Sequence, residues 1–312
     1  MFKSRAKKWF GFSFLSILVL MAIAFVQFGG VAYFKGAWQP RTPSPNEDKT
    51  EDRFFERVGA RGSVLLLHGL NFEAEAMYSL GQIFHDLGFQ VLVPRLAGHR
   101  GRVEETYEDL LPTWRQQLIG WHDRLLPSQA RAEASTPIVC AGYSLGALFL
   151  VEEFLLGHLD CDQFVLFSPA LALRSPQWLN HLARSIFPKS FTVQSGIPQN
   201  YKHFASLGMG SSFSTADLVE SLQANLQARK MPPGLVFLDE RDEVIDAAEV
   251  KRMIKNEFTN WKLFPIQARD LPETHAFHLT VDEAHLGAEQ WSRVREAITE
   301  ALRNVGRGTK SP

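Results

Sequence analysis

The sequence predicts an α/β architecture: a mostly parallel, doubly wound sheet with helices on both faces. Two observations predict it. Short continuous apolar runs of buried-strand type alternate along the chain with segments whose apolar residues recur every three or four positions. Between one such run and one such helix stands Gly142-Tyr143-Ser144-Leu145-Gly146, a strand, sharp turn and helix with serine at the apex.

The chain has 312 residues, 45% hydrophobic and 21% charged, an ordinary globular composition. Its first 35 residues hold five basic groups (Lys3, Arg5, Lys7, Lys8 and Lys35) and no acidic ones. The remainder carries 28 basic against 34 acidic residues, a net of −6, which gives no electrostatic case for nucleic-acid binding. From Trp9 to Phe34 the chain passes 26 residues without a charge. As a helix rising about 1.5 Å per residue, this run outspans a hydrocarbon core of roughly 30 Å. It exceeds the roughly 7–15-residue apolar region of a signal peptide, although Gly30-Val31-Ala32 offers a small-residue cleavage site. Basic residues precede it, so the N-terminus is expected in the cytoplasm and the bulk of the chain outside, in a periplasmic or extracellular space. Residues 1–35 are therefore expected to be a cytoplasmic tip and transmembrane anchor. Residues 36–52, with three prolines and a charged end, read as an extended linker.

Residues 53–305 suit one large domain, followed by a tail at 306–312. Val64–Leu67 is its first buried-strand run. Met77, Leu80, Ile83, Phe84 and Leu87 then fall at helical spacing, stopped by Gly88. Phe89–Val93 is the next strand, closed by Pro94. Thr113 is placed to cap a helix carrying Trp114, Leu118, Trp121 and Leu125. Pro137–Ala141 and Gln163–Phe167 are strands, as are Leu235–Leu238 and Trp261–Ile266. Trp291, Val294, Ile298 and Leu302 define a final helix face. Residues 171–230 break the alternation: too long for a crossover and rich in Trp178, Leu182, Phe187 and Phe191, they read as a cap insertion with a helix from Thr215 to Arg229. Cys140 is expected near the end of one strand and Cys161 before the start of its neighbour. That separation exceeds the roughly 4.4–6.8 Å of a disulfide, so both read as buried apolar residues.

A serine on a strained turn needs glycine where its backbone crowds its neighbours, and Gly142 and Gly146 supply it. Acyl transfer by serine further needs a base, a carboxylate to orient that base, and backbone donors for an oxyanion. In the order Ser, acid, His, the loop after Leu238 offers Asp242, with Asp239 as the alternative; Asp246 is better used capping the helix that follows. The region after the last strand offers His278, with His275 as the alternative and His285 as a surface residue. The loop His68-Gly69-Leu70-Asn71 and the elbow place the N–H groups of Leu70 and Leu145 as oxyanion donors, with His68 bracing the loop.

Leu66-Leu67-His68-Gly69, Val93-Pro94-Arg95-Leu96-Ala97-Gly98-His99, the Ser144 elbow, the Asp242 loop and His278-Leu279 together resemble α/β-hydrolases of the monoglyceride-lipase and serine-aminopeptidase-like branch, over roughly residues 60–305. The resemblance implies an α/β-hydrolase fold with a cap, hydrolysis of carboxylic esters such as glycerides or lysophospholipids, and no cofactor. Two positions depart from the pattern. Arg100 follows His99 where relatives have Gly-His-Gly, and Asp239 stands where a glycine is frequent. A peptidase or amidase using the same triad, or a non-catalytic binding protein of this fold at the membrane, are the alternative readings.

Overall fold

The computed structural model describes residues 52–125, 136–271 and 276–305. The apolar run Trp9–Phe34, the linker up to residue 51 and the tail 306–312 lie outside them. Among the described residues no helix is long and apolar enough to cross a membrane.

A seven-stranded sheet forms the centre, built from β1 (Arg53–Phe55), β2 (Ser63–Leu67), β3 (Gln90–Val93), β4 (Ile138–Tyr143), β5 (Gln163–Phe167), β8 (Gly234–Leu238) and β9 (Trp261–Pro265). Its spatial order is β1-β3-β2-β4-β5-β8-β9. Every pair is parallel except β1–β3. The helices are α1 (Tyr78–Asp86), α2 (Leu111–Leu125), α3 (Leu145–Leu155), α4 (Gln177–Ile186), α5 (Met209–Asn225), α6 (Ala247–Asn256) and α7 (Glu283–Leu302).

Alternation along the buried strands divides the core. Leu65 and Leu67 face one cluster, with Trp114, Leu118, Leu148, Leu222 and Val250 of the covering helices. Val64 and Leu66 face the other, with Leu80, Phe84, Trp291, Val294 and Ile298. A strand buried on both faces therefore reads as an unbroken apolar run, which is why β2 is visible in the sequence.

Between β5 and β8 the chain forms α4, the hairpin β6 (Thr192–Gln194) and β7 (Ser206–Gly208), and α5. Helix α4 buries none of its residues, and Trp178 and Ile186 are 58% and 50% exposed. Helix α5 starts at Met209, six residues before the expected Thr215. A Cβ on Gly208 or Gly210 would come within 2.4 Å of Tyr107 or of the Glu108 carbonyl. That close seat on the preceding loop adds the first turns, and no helical periodicity announces it. Thr113 is not a cap either: α2 begins two residues earlier, where the Asp109 carboxylate accepts from the Leu111 N–H at 3.2 Å. Asp246 does cap α6, accepting from Glu249 N–H at 3.1 Å.

The expectation of two separate cysteines is overturned. Cys140 and Cys161 form a disulfide, with Cα atoms 5.8 Å apart. Strand β4 runs to Tyr143, so Cys140 is its third residue and not near its end. The chain also bends at Asp162, whose N–H donates to the Ile138 carbonyl and whose carboxylate accepts from the Ile138 N–H, both at 2.8 Å. This bend carries Cys161 back over the face of β4.

A second buried feature ties the helices together. On α3, Glu152 and Glu153 are fully buried side by side. Arg115 of α2 reaches both, at 2.7 and 2.6 Å, and Ser221 of α5 donates to Glu152 at 2.6 Å. Burial, reinforced by the neighbouring Glu153 carboxyl, pushes Glu152 up to about 8 from its ordinary 4.5.

Two measurements check these features. Thiol titration of the denatured, unreduced protein should find no free cysteine, and reduction should remove about 3 kcal/mol of stability for a loop of this length. Glu152 binds its proton more tightly folded than unfolded, so its stabilising share is complete below pH 4.5 and is lost as pH rises through about 8. Glu152→Gln should therefore raise the calorimetric Tm at pH 8, by on the order of 1 kcal/mol or about 2–4 °C. The gain should vanish toward pH 4.5.

Candidate active site

Ser144 alone turns the chain from β4 into α3, with φ 51° and ψ −116°, a region that disfavours any side chain. The surroundings hold it there. Its N–H donates to the Phe167 carbonyl at 3.0 Å, and its carbonyl accepts from Leu148 and Ala170, each at 3.1 Å. A Cβ on Gly142 would stand 2.7 Å from the Ala147 nitrogen, and one on Gly146 would stand 2.5 Å from the His68 carbonyl oxygen. Only glycine fits at these two positions.

His278 lies across from this turn, with its Nε2 2.9 Å from Ser144 Oγ. Its Nδ1 is 2.7 Å from Asp242 Oδ2. An ionised carboxylate can only accept, so Nδ1 carries the proton and Nε2 presents its lone pair to the serine hydroxyl. The His278 side chain is 13% exposed, enough to meet a ligand. Burial disfavours the charged ring, but the Asp242 charge and hydrogen bond, with the Glu243 charge, outweigh it and raise the His278 pKa above 6.5. Asp242 is fully buried. Burial would raise its pKa, yet His278 and the N–H groups of Val244 and Ile245, both 2.9 Å from Oδ1, hold it below the ordinary value.

Asp239 is engaged elsewhere. It pairs with Arg241 at 2.7 Å and accepts from the Ala268 N–H at 2.7 Å. His275 falls in 272–275, outside the described residues. His285, expected on the surface, is 3% exposed. Asp282 caps α7 and accepts from the His285 N–H at 3.0 Å, while the Tyr201 hydroxyl, from the segment between β5 and β8, donates to the same carboxylate at 2.6 Å, its ring against that of His285.

The loop after β2 lies against Ser144: a Cβ on Gly69 would be 3.2 Å from the Ser144 Cβ. Among the described residues, no protein acceptor accompanies the N–H of Leu70 or of Leu145, the first residue of α3. The helix N-terminus adds its partial positive charge there. His68 braces this loop, donating from Nδ1 to the Gly69 carbonyl at 2.8 Å and accepting at Nε2 from Leu96 N–H at 3.1 Å. Burial drives its pKa down to about 3, so the ring is neutral and unsuited as a base.

Sequence reasoning missed two supports. Glu243, one more acid in a charged loop by sequence, accepts from the N–H groups of Phe277 and His278 at 3.0 and 3.2 Å and so fixes the histidine's backbone. Arg174, soon after β5, donates to the Asp242 carbonyl at 2.6 Å. Neither has a local signal, since each acts across more than 30 residues. A groove of about 800 Å³ beside α7, lined by Phe264, Trp291 and charged residues, contains none of these groups.

No protein-family model and no curated protein matches this sequence. Solved structures do match it. One is a metagenome-derived lipolytic enzyme of the LipS and LipT pair, with TM-score 0.63 and 17% identity, covering 84% of this chain and 100% of that one. Another is a soluble variant of monoglyceride lipase from Saccharomyces cerevisiae in complex with a substrate analogue, with TM-score 0.63, 14% identity and coverage of 81% and 90%. Paleococcus ferrophilus monoacylglycerol lipase gives 0.60 and 18%, covering 81% and 98%. Together with the strand order and the serine turn, this likeness establishes that the chain has the α/β-hydrolase fold.

The two carboxylates raise the His278 pKa, so removing either should lower it. An NMR titration of the His278 ring should show a downward shift in Glu243→Gln, which keeps an acceptor for the two N–H groups, and in Asp242→Asn. An unchanged value in both would contradict this account of its charge.

Proposed function

We propose that the chain is a membrane-anchored serine hydrolase that cleaves carboxylic esters through an acyl-enzyme on Ser144. The observation that carries this reading is the continuous hydrogen-bonded line from Ser144 Oγ to His278 to Asp242, at 2.9 and 2.7 Å. A non-catalytic protein of this fold has no need to keep that line intact.

In this scheme His278 Nε2 takes the Ser144 proton as Oγ bonds to the ester carbonyl carbon, and the imidazolium is stabilised by Asp242. The carbonyl oxygen becomes an oxyanion and accepts from the N–H groups of Leu70 and Leu145. Collapse expels the alcohol, which leaves with the proton from His278. Water then attacks the acyl-enzyme, giving its proton to Nε2, and release of the carboxylic acid returns the proton to Ser144.

Three observations favour a lipid ester such as a monoacylglycerol or lysophospholipid. Trp178, Ile186, Phe187 and Phe191 leave an apolar face exposed on the cap. The 26-residue uncharged run Trp9–Phe34 reads as an anchor that keeps the domain at a bilayer. Two of the structural neighbours are monoacylglycerol lipases. The Cys140–Cys161 disulfide suits an oxidising space outside the cytoplasm, in line with the basic residues that precede the run.

A fluorophosphonate probe should label Ser144, and Ser144→Ala should abolish labelling and lower kcat on p-nitrophenyl esters by about 10³-fold or more. Activity should climb with acyl-chain length. A wild-type chain that neither labels nor hydrolyses any ester of the series sinks the proposal.

A further inference from the structure

We infer that Asp52, the last residue of the linker, is a positioning residue of the active site. Through the loop after β3 it holds the peptide groups on either side of Leu70, so the tether is keyed to the oxyanion hole. This rests on the reading of Leu70 as an oxyanion donor.

The line of contacts is continuous. The Leu70 N–H belongs to the peptide whose carbonyl is Gly69 O, and His68 Nδ1 donates to that oxygen at 2.8 Å. The next peptide's N–H, on Asn71, donates to His99 Nε2 at 2.6 Å. The turn they define has Asn71 at φ 53°. Both histidines take their places from the loop after β3. His68 Nε2 accepts from Leu96 N–H at 3.1 Å, and His99 belongs to that loop. Burial holds His68 and His99 well below their ordinary pKa, so each stays neutral with Nε2 free to accept.

Asp52 grips the same loop from the other side. Its Oδ1 accepts from the Arg95 N–H, one residue before Leu96, at 3.0 Å, and from Arg100 Nη2 at 2.5 Å. Arg100 Nε in turn donates to the Arg95 carbonyl at 2.9 Å, closing the loop on itself. Arg100 is the residue that departs from the Gly-His-Gly pattern, and its side chain joins the linker's carboxylate to the loop. The Arg95 guanidinium is fully buried and held by Glu73 and Glu75, at 3.3 and 2.6 Å, so a shift of this loop would also unseat a buried charge. Arg124 of α2 binds the other Asp52 oxygen at 2.7 Å and belongs to no part of this loop, which makes it the control.

The test uses the full-length chain and the variants Asp52→Ala, Arg100→Ala and Arg124→Ala. In the first two, kcat and the rate of fluorophosphonate labelling should fall about five- to tenfold with KM within about twofold, because a misplaced donor weakens the transition state more than the ground state. Amide hydrogen exchange at Asn71, Phe72 and Leu96 should accelerate. Arg124→Ala should stay near wild type in both readouts. Unchanged exchange in Asp52→Ala, faster exchange with unchanged kcat, or equal loosening in Arg124→Ala each overturns the inference. Should the wild type itself fail to label, the esterase reading falls while the exchange comparison still decides whether Asp52 holds the loop.

Discussion

The geometry of the candidate site depends on how closely the chain leaving β2 approaches the turn between β4 and α3. The two strands pair in parallel, with Leu67 opposite Gly142, so both chains leave the sheet side by side. The His68 and Leu67 carbonyls then lie where a side chain on Gly146 would be, and Gly69 leaves room for Ser144 itself. Missing side chains at three glycines let the loop after β2 and the serine turn approach this closely. The disfavoured φ of Ser144 costs on the order of 1–3 kcal/mol, offset by the backbone hydrogen bonds that fix it from β5 and from α3.

Near that approach, the partners of the rings, not burial, set the histidines apart. His68 and His99 are buried with no carboxylate on either ring nitrogen, and their rings are kept neutral as hydrogen-bonding braces. His278 is also largely buried, yet the adjacent Asp242 reverses the effect of burial and makes its protonated form accessible. One residue type is thus a neutral support in two places and, in a third, a ring whose protonated form is favoured. The partner carboxylate makes the difference.

Where sequence and structure part, the cause in most places is a contact made from far along the chain. Strand ends alone keep Cys140 and Cys161 apart, and a single bend at Asp162, invisible in composition, brings them together. His285 looks exposed at a helix start, but Tyr201, far away in sequence between β5 and β8, covers it. Glu243 and Arg174 look like solvated charges because their partners are backbone groups of other loops. Strand β1, only three residues long, exists through antiparallel pairing with β3 and has no periodicity to announce it.

By itself the sequence determined the alternation of strands and helices and therefore the doubly wound sheet, because strands buried on both faces must be apolar throughout and helices must carry an apolar stripe. It also determined the serine turn and the order in which serine, acid and histidine follow, because local glycine sterics and chain direction are written residue by residue. The choice between Asp242 and Asp239 as the partner of His278 was made only by the tertiary structure, as was the docking of Asp52 on the loop after β3. Those are contacts between segments several tens of residues apart. Their energy depends on distances of a few tenths of an ångström, which no local pattern of residue types encodes.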